Sequence, residues 1–276
     1  MTIAATDFEY ISTMVRDRSA IVLEHGKEYL IEARLLPLAR TRGTETIAAL
    51  VQELRRSPFG PLRDLVVEAM TTNETSFFRD SHPFTALSDH ILPDLVRARS
   101  GERHLNIWCA ACSSGQEPYS IAMLVQDIIG ADPAWRVRML ATDLSPAMLA
   151  RTRAGVYSQF EVNRGLPANL LIRHFRKQGL EWQIEEPLRR MVETRAVNLD
   201  AELPSMPAMD IVFLRNVLIY FDIATKRRIL ARVRRVMRAD GYLVLGGAET
   251  TLNLDDTFER VQIGRAPVYR LRSGKA

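Results

Sequence analysis

Apolar residues recur at helical spacing along residues 1–72, and short segments rich in glycine and proline interrupt them. Ile47, Leu50 and Leu54 are a clear example of this spacing, because residues three or four apart share one helix face. The predicted helices are Asp7–Ile21, Lys27–Arg40, Thr44–Arg56 and Pro61–Met70. We therefore expect residues 1–72 to form an all-α domain, a small helical bundle.

Beyond this bundle, short apolar runs alternate with amphipathic stretches, which is typical of an α/β domain with a parallel sheet. We expect this second domain to cover residues 73–276. A short strand is expected to end in Ala196–Asp200. The other predicted strands are Leu105–Trp108, Arg136–Ala141, Met209–Leu214, Tyr242–Leu245 and a hairpin of Arg260–Ile263 with Val268–Arg270.

Residues Val156–Met191 interrupt the alternation of strands and helices. The segment Gly179–Glu185 alternates polar and apolar residues as an exposed strand does, and we expect it to pair with Arg189–Thr194. The sequence thus predicts a small β insertion at about residues 174–195.

The segment Leu105–Ser120 predicts a strand, a turn of small residues and a helix with Pro118 in its first turn. Such a turn leaves backbone N–H groups free to bind a nucleotide-like ligand. Asp143 follows the next predicted strand, where an acid can accept hydrogen bonds from ribose hydroxyls. It could instead cap the helix at Ser145 and Pro146, but the ribose role is favoured, because the residue stands at the matching place in the architecture.

Composition narrows the class of protein. The chain has 276 residues, a formal net charge of +4 and 47% hydrophobic residues, which are ordinary values for a globular protein with two domains. No apolar run approaches the roughly 20 residues that span a bilayer. Asp7 and Glu9 stand where a signal peptide would be basic or apolar. We expect a cytoplasmic protein with no direct membrane insertion.

Cys109 and Cys112 form a CxxC pair. A zinc site needs a second pair of ligands, which the sequence does not offer, so we expect no bound metal. A thioredoxin-like redox pair remains an alternative, but two small residues packed in a tight turn are favoured.

Two basic segments admit more than one role. Ala33–Thr44 holds Arg34, Arg40 and Arg42 without an acid, which suits either a landing site for carboxylates or a solvated helix end. Pro37 is expected to kink this helix. The predicted helix Ala224–Ala239 carries seven Lys or Arg residues, and a solvated outer face is favoured over nucleic-acid binding.

Five motifs, in this order, resemble the chemotaxis receptor methyltransferases of the CheR family, and the resemblance covers nearly the whole chain. They are TTNETSFFRD at 71–80, IWCAACSSGQEPYSIAM at 107–123, ATDLS at 141–145, VNL at 197–199 and DIVFLRNVLIYF at 210–221. The resemblance implies a Rossmann-like sheet of S-adenosylmethionine-dependent methyltransferases, with an N-terminal all-α domain and a small β insertion. A nicotinamide oxidoreductase is disfavoured, because Gly115 is the only glycine of the turn where G-x-G-x-x-G is expected.

The resemblance also implies the activity: methyl transfer from S-adenosyl-L-methionine to glutamate side chains of methyl-accepting chemotaxis receptors, giving glutamate methyl esters and S-adenosyl-L-homocysteine. The implied partner is the receptors' cytoplasmic domain, and the enzyme is expected to be a monomer that does not bind nucleic acid. A nucleic-acid methyltransferase would place Asn/Asp-Pro-Pro-aromatic where this chain has Arg215-Asn216-Val217-Leu218. A non-catalytic module that only senses the cofactor is the other alternative, which the intact motifs disfavour.

By position, the resemblance assigns residues to the cofactor and to the methyl group. The cofactor set is Asn73, Thr75, Arg79, Ala110, Glu117, Asp143, Asn198, Leu199, Arg215 and Asn216. Arg79 and Tyr220 are implied near the transferred methyl group, and Arg34, Arg40 and Arg42 in receptor recognition. From the residues alone, Asn73 and Thr75 could instead cap a helix, and Tyr220 could be a core residue.

The chain departs from the family in its β insertion. Some members carry a glycine-rich loop there, which docks a peptide at the receptor's C-terminus. Here the insertion contains only Gly179. We therefore expect that this enzyme does not require a tethering peptide.

Overall fold

The computed structural model describes residues 3–57, 59–130 and 132–272. Contact density divides the chain into two units. One comprises Met1–Thr72 together with Tyr220–Thr225, and the other comprises Asn73–Ile219 together with Lys226–Ala276.

The first unit is a helical bundle, as predicted. Its helices are α1 (Ala5–Ser19), α2 (Glu28–Thr41), α3 (Ile47–Arg56) and α4 (Pro61–Met70). The side chains of Ile31, Leu35 and Leu50 are fully buried in its core. Helix α2 continues through Pro37 to Thr41.

Among the described residues, the second unit contains ten strands and eight helices. Helix α12 is counted here, although its first three residues belong to the helical unit by their contacts. The strands are β1 (His104–Ala110), β2 (Arg136–Asp143), β3 (Val156–Ser158), β4 (Phe175–Gln178), β5 (Glu181–Ile184), β6 (Val192–Ala196), β7 (Met209–Leu214), β8 (Met237–Leu245), β9 (Phe258–Ile263) and β10 (Ala266–Leu271). The helices are α5 (His82–Ala86), α6 (Leu92–Ala98), α7 (Gln116–Ile129), α8 (Pro146–Ala154), α9 (Gln159–Asn163), α10 (Ala168–His174), α11 (Glu186–Met191) and α12 (Ile223–Val236). A π-helical turn, Leu87–Ile91, joins α5 to α6.

Seven strands form one sheet in the order β6-β2-β1-β7-β8-β10-β9. The first five run parallel, and β10 is antiparallel to both β8 and β9. This arrangement confirms the predicted α/β fold with its terminal hairpin. Strand β1 lies between β2 and β7, so the sheet grows from β1 first to one side and then to the other. In such sheets ligands bind at the carboxyl ends of the strands where the order reverses.

The pairing expected within the β insertion is wrong in one strand. The expected partner of Gly179–Glu185 is Arg189–Thr194, but this segment ends α11 and begins β6, which pairs in parallel with β2 in the large sheet. The small sheet has the order β3-β5-β4, so β5 pairs with Val156–Ser158 and Phe175–Gln178. Alternating polarity predicts a strand but not its partner, which is why the sequence missed this pairing.

A buried ion pair lies at the amino-terminal edge of the sheet, opposite the carboxyl ends of the strands. Asp210 is 0% exposed, and its carboxylate accepts hydrogen bonds from Arg99 Nε and Asn106 N, both at 2.8 Å. Arg99 also donates to Asp240, which raises the pKa of the arginine. These bonds tie the start of β7 to the start of β1, away from the carboxyl-end loops.

The buried side chain of His174 should make the stability of the folded protein depend on pH. Burial lowers its pKa, Asp127 offsets part of this effect, and His174 Nε2 lacks a hydrogen-bond partner. The unfolded chain therefore takes up a proton below about pH 6.5 that the folded protein excludes. We expect the free energy of unfolding to fall as the pH drops below that value. Urea unfolding at pH 7.5 and 5.5 should show a smaller fall for His174→Gln, and equal falls in both proteins would contradict this.

Candidate active site

The carboxyl ends of β6, β2, β1 and β7 gather segments that are far apart in sequence. Because these strands are parallel neighbours, the residues that follow each one meet along one edge of the sheet. Ala110, Asp143 and Arg215 lie at the ends of three of these strands, and Asn198 follows β6. The structure thus brings most of the predicted cofactor residues to one edge.

The loop after β1 has an unusual backbone. Ala111, Ser113 and Gly115 all have left-handed φ values, of 56°, 51° and 96°. A Cβ atom at Gly115 would lie 2.9 Å from both Thr152 Cγ2 and Tyr157 Oη, so only glycine fits. The loop ends at Gln116, where the N-terminus of α7 presents N–H groups and a partial positive charge.

Asp143 braces this loop. Its carboxylate accepts a hydrogen bond from Ser113 N at 2.8 Å and another from Ser145 N at 2.9 Å. Ser145 is itself the N-cap of α8, since its hydroxyl accepts from Met148 N at 3.1 Å. Asp143 thus holds the loop after β1 to the turn that begins α8, and its ribose role remains a prediction.

Buried Arg215 connects three parts of the edge. Its side chain is 1% exposed, and its Nη1 donates to Glu117 Oε2 at 2.8 Å. Its Nη2 donates to Asp80 Oδ2 at 2.7 Å and to the carbonyl oxygen of Arg79 at 3.0 Å. The other oxygen of Glu117 accepts from Cys109 Sγ at 3.0 Å. Arg215 thus fixes α7 and the segment around Arg79 to the end of β7.

The segment before α5 is held in a strained conformation. Phe78, Asp80 and Ser81 have left-handed φ values of 47°, 67° and 42°. Such residues persist only where their surroundings hold them, and they concentrate at functional sites. Here Phe78 N donates to Ser120 Oγ of α7 at 3.0 Å, and Arg215 holds the carboxylate of Asp80.

The polar residues of this segment lie close to the loop after β1. The carbonyl oxygen of Asn73 accepts from Ser113 Oγ at 2.7 Å, and Arg79 Nη1 donates to the carbonyl oxygen of Glu74 at 3.0 Å. Asn73, Glu74 and Thr75 line a surface recess together with Ser114, Gln116, Arg151, Phe160, Glu161 and Arg164. The half-buried Arg79 side chain is therefore held near the loop by its own segment.

The two thiols are packing groups. Cys109 and Cys112 are free and buried, and burial raises the pKa of both thiols far above neutrality. A redox role needs the thiolate form, which such surroundings suppress. The prediction of two packed residues is confirmed over the thioredoxin-like alternative.

The other predicted site residues, Asn198, Leu199, Asn216 and Tyr220, have different surroundings. Asn198 begins a turn in which its Oδ1 accepts from Asp200 N at 3.0 Å, and Leu199 is buried beside it. Asn216 follows Arg215 with a left-handed φ of 57°. Tyr220 is half-buried and belongs by its contacts to the helical unit, where its carbonyl oxygen accepts from Val22 N at 3.0 Å.

The three arginines assigned to receptor recognition differ in their contacts and exposure. Arg34 donates to the carbonyl oxygens of Met70 at 2.6 Å and Thr71 at 3.2 Å, so it closes the end of α4. Arg42 is exposed and pairs with Glu53. Arg40 is exposed at the end of α2.

Two residues at this edge, Asp80 and Glu249, are not among those predicted from the sequence. Asp80 adjoins Arg79 in the same motif, and the need of a buried arginine for a second counter-ion could have pointed to it. No local sequence pattern marks Glu249 as a site residue, because its hydrogen bonds to residues 216–218 depend on which loop lies beside it in the fold.

Comparison with known families identifies the ligand of the larger unit. The model "CheR methyltransferase, SAM binding domain" matches residues 73–266, and "CheR methyltransferase, all-alpha domain" matches residues 6–71. The chain belongs to the CheR methyltransferase family. Its larger unit is therefore an S-adenosylmethionine-binding domain, which confirms the predicted cofactor.

Curated relatives of CheR type match nearly the whole chain. Chemotaxis protein methyltransferase 1 of Pseudomonas aeruginosa is 41% identical over 277 residues, covering 99% of this chain and all of that protein. Chemotaxis protein methyltransferase Cher2 of Pseudomonas putida is 38% identical over 276 residues, with 99% and 100% coverage. The chemotaxis protein methyltransferase of Escherichia coli is 32% identical over 264 residues, covering 94% of this chain and 89% of that protein.

Two features are absent from residues 3–57, 59–130 and 132–272. No helix in these ranges is long and apolar enough to cross a membrane. No three His, Cys, Asp or Glu side chains in these ranges are grouped as metal ligands.

Proposed function

We propose that this CheR enzyme is a protein-glutamate O-methyltransferase that acts on methyl-accepting chemotaxis receptors. It transfers the methyl group of S-adenosylmethionine to glutamate side chains in the receptors' cytoplasmic domain and releases S-adenosylhomocysteine. The relatives named as chemotaxis protein methyltransferases support the pathway. The site chemistry described next supports the carboxylate acceptor.

The observation that carries the proposal is the state of the acidic groups and thiols at the carboxyl ends of β1 and β2. Glu117 and Asp143 are engaged by Arg215 and by backbone N–H groups, and the nearby thiols are held protonated. None of these groups is arranged to remove a proton from an acceptor near neutral pH. A free glutamate, with a pKa of about 4.3, is already ionised and needs no general base.

Bound S-adenosylmethionine supplies a methyl group on a positively charged sulfur. A carboxylate oxygen of the acceptor bonds to the methyl carbon as the carbon–sulfur bond breaks, and that electron pair stays on sulfur. The negative carboxylate and the positive sulfur both become neutral, and no proton moves. The protein's task is then to align the acceptor and exclude water.

Arg79 and Tyr220 are the residues proposed at the methyl group. A guanidinium suits this place because its planar fork matches a carboxylate. Binding the acceptor too tightly would stabilise the ground state as well as the transition state. We therefore assign Arg79 to orienting the acceptor carboxylate.

The edge residues fit the cofactor by their chemistry. Asp143 is assigned to the ribose hydroxyls, Asn198 and Leu199 to the adenine, and Arg215 to the cofactor's carboxylate. Arg215 Nε is buried without a hydrogen-bond partner, which leaves it a donor to offer. The other residues assigned to the cofactor are Asn73, Thr75, Arg79, Ala110, Glu117 and Asn216.

Transfer of labelled methyl groups to a receptor cytoplasmic fragment tests the proposal. The product is then treated with base. A glutamate methyl ester releases volatile labelled methanol, whereas a methylated amine keeps its label. Label that is transferred but stable to base would overturn the proposed acceptor.

Of the three arginines assigned to the receptor, we choose Arg40 for a test, because its side chain is exposed at the end of α2. Arg40→Glu should lower receptor methylation several-fold through charge repulsion and leave S-adenosylhomocysteine binding unchanged. Arg136→Glu makes the same charge change at another exposed arginine, at the start of β2, and is the control. Equal methylation rates for both variants would contradict a recognition role.

The tethering peptide is proposed to be dispensable. The small sheet has the tight turn at Gly179 (φ 62°) between β4 and β5, in place of an extended glycine-rich loop. We expect calorimetry with a peptide from a receptor C-terminus to give no measurable heat of binding. A dissociation constant in the micromolar range would show that the tether is used.

The basic helix α12 does not favour a nucleic-acid substrate. Arg228 and Arg232 pair with Asp200, and Arg234 pairs with Asp255. Cations neutralised in this way add little to the counter-ion release on which nucleic-acid affinity depends.

A further inference from the structure

Glu249 follows β8, and its carboxylate accepts four backbone hydrogen bonds. The donors are Asn216 N at 2.8 Å and Gly246 N at 2.7 Å to Oε2, and Val217 N at 2.9 Å and Leu218 N at 2.7 Å to Oε1. We propose that Glu249 is a positioning residue for the cofactor site. It holds the backbone of residues 216–218 so that Arg215 and Asn216 face the cofactor.

The sheet brings these groups together. Strands β7 and β8 are parallel neighbours, with Leu214 opposite Leu245, so the loops that follow them emerge side by side. Asn216 has a left-handed φ of 57°, and the N–H groups of residues 216–218 converge on one carboxylate. Successive N–H groups turned toward one point form an anion-binding nest. The anion is part of the chain, so the loop is fixed before any cofactor binds.

Only a carboxylate of this length satisfies all four donors. It has two oxygens with about four lone-pair positions, whereas a glutamine amide has one oxygen and an NH2 group that would face N–H donors. Gly246 leaves the space that the carboxylate of Glu249 needs. A Cβ atom there would lie 2.7 Å from Glu249 Oε2 and 2.9 Å from Asn216 N.

Glu249 acts through the 216–218 loop, and this inference rests on the proposed cofactor roles of Arg215 and Asn216. Losing the carboxylate frees Asn216 to leave the left-handed region, which moves it and the end of the Arg215 backbone. A displacement of about 1 Å at such a site can cost on the order of 100-fold in rate. Binding of the product S-adenosylhomocysteine is the direct measure, because it requires no acceptor.

Calorimetry with S-adenosylhomocysteine on the full chain tests the inference. Glu249→Gln should weaken binding at least about tenfold at a temperature where circular dichroism shows a folded protein. Gly246→Ala, which displaces the carboxylate instead of removing it, should weaken binding in the same direction. Glu202→Gln removes the same charge from a side chain that is 80% exposed and should bind within twofold of the wild type.

A variant Glu249→Gln that binds S-adenosylhomocysteine within twofold of the wild type, with only a lower thermal midpoint, would reduce Glu249 to a structural residue. If this variant does not fold, amide hydrogen exchange of the wild type decides. The N–H groups of Asn216, Val217, Leu218 and Gly246 should be protected, and exchange as fast as in an unstructured peptide would overturn the inference. Neither measurement uses a receptor, so failure of the proposed glutamate acceptor would leave both results intact.

Discussion

Replacing Arg215 with methionine should cost about 3–5 kcal/mol of folding stability, because it leaves the carboxylate of Glu117 buried without its counter-ion. Arg215 is 1% exposed and Glu117 13%, so water replaces little of the lost interaction. The same change releases Asp80 and the carbonyl oxygen of Arg79. We therefore expect S-adenosylhomocysteine binding to be lost along with stability, measured by urea unfolding and calorimetry.

A double-mutant cycle separates this ion pair from simple loss of packing. Glu117→Gln removes the negative charge and keeps the shape, so the pair Arg215→Met with Glu117→Gln should cost less than the sum of the two single changes. Arg228→Met removes an arginine whose side chain is 49% exposed, from the pair with Asp200, and should cost at most about 1 kcal/mol. Additive costs for Arg215 and Glu117 would show that the two side chains act independently.

Arg79→Lys should lower kcat for receptor methylation by roughly 100-fold, although the positive charge is retained. A lysine ammonium is a point charge that cannot reproduce the planar fork, and it loses the geometry with which Arg79 donates to the carbonyl oxygen of Glu74. Because the proposed role is to orient the acceptor, kcat should fall more than the affinity for S-adenosylhomocysteine. Single-turnover methyl transfer and calorimetry measure the two effects separately.

The control for Arg79 is Arg138→Lys, an exposed arginine of β2 that pairs with Glu193. This variant should keep the wild-type kcat and affinity. Near-normal turnover of Arg79→Lys would rule out a geometric role. An equal loss of kcat and of cofactor affinity would place Arg79 on the cofactor alone.

Much of the edge to which we assign the cofactor could be predicted from the sequence. The apolar runs predicted β1, β2 and β7, and the features that the motifs single out lie at or just after the end of each strand: the loop to Gly115, Asp143 and Arg215. Local patterns suffice here, because a parallel strand flanked by helices is buried on both faces and its end is marked by the first polar residue.

The partners of those residues could not be predicted in the same way. Arg215 lies 98 residues from Glu117 and 135 from Asp80, and Glu249 lies 33 residues from Asn216. A hydrogen bond across such a separation depends on which strands are neighbours, and periodicity within one element carries no information about that.

The sequence by itself therefore determined the helical bundle, the alternation of strands and helices, the family and its cofactor. Tertiary structure alone decided that Val192–Ala196 joins the large sheet, that Arg215 bridges Glu117 and Asp80, and that Glu249 holds the 216–218 loop. The physical reason is the range of each signal. The buried face of a single helix or strand can be predicted from residues that are close in sequence. Strand partners and buried ion pairs are decided only when the whole sheet is assembled.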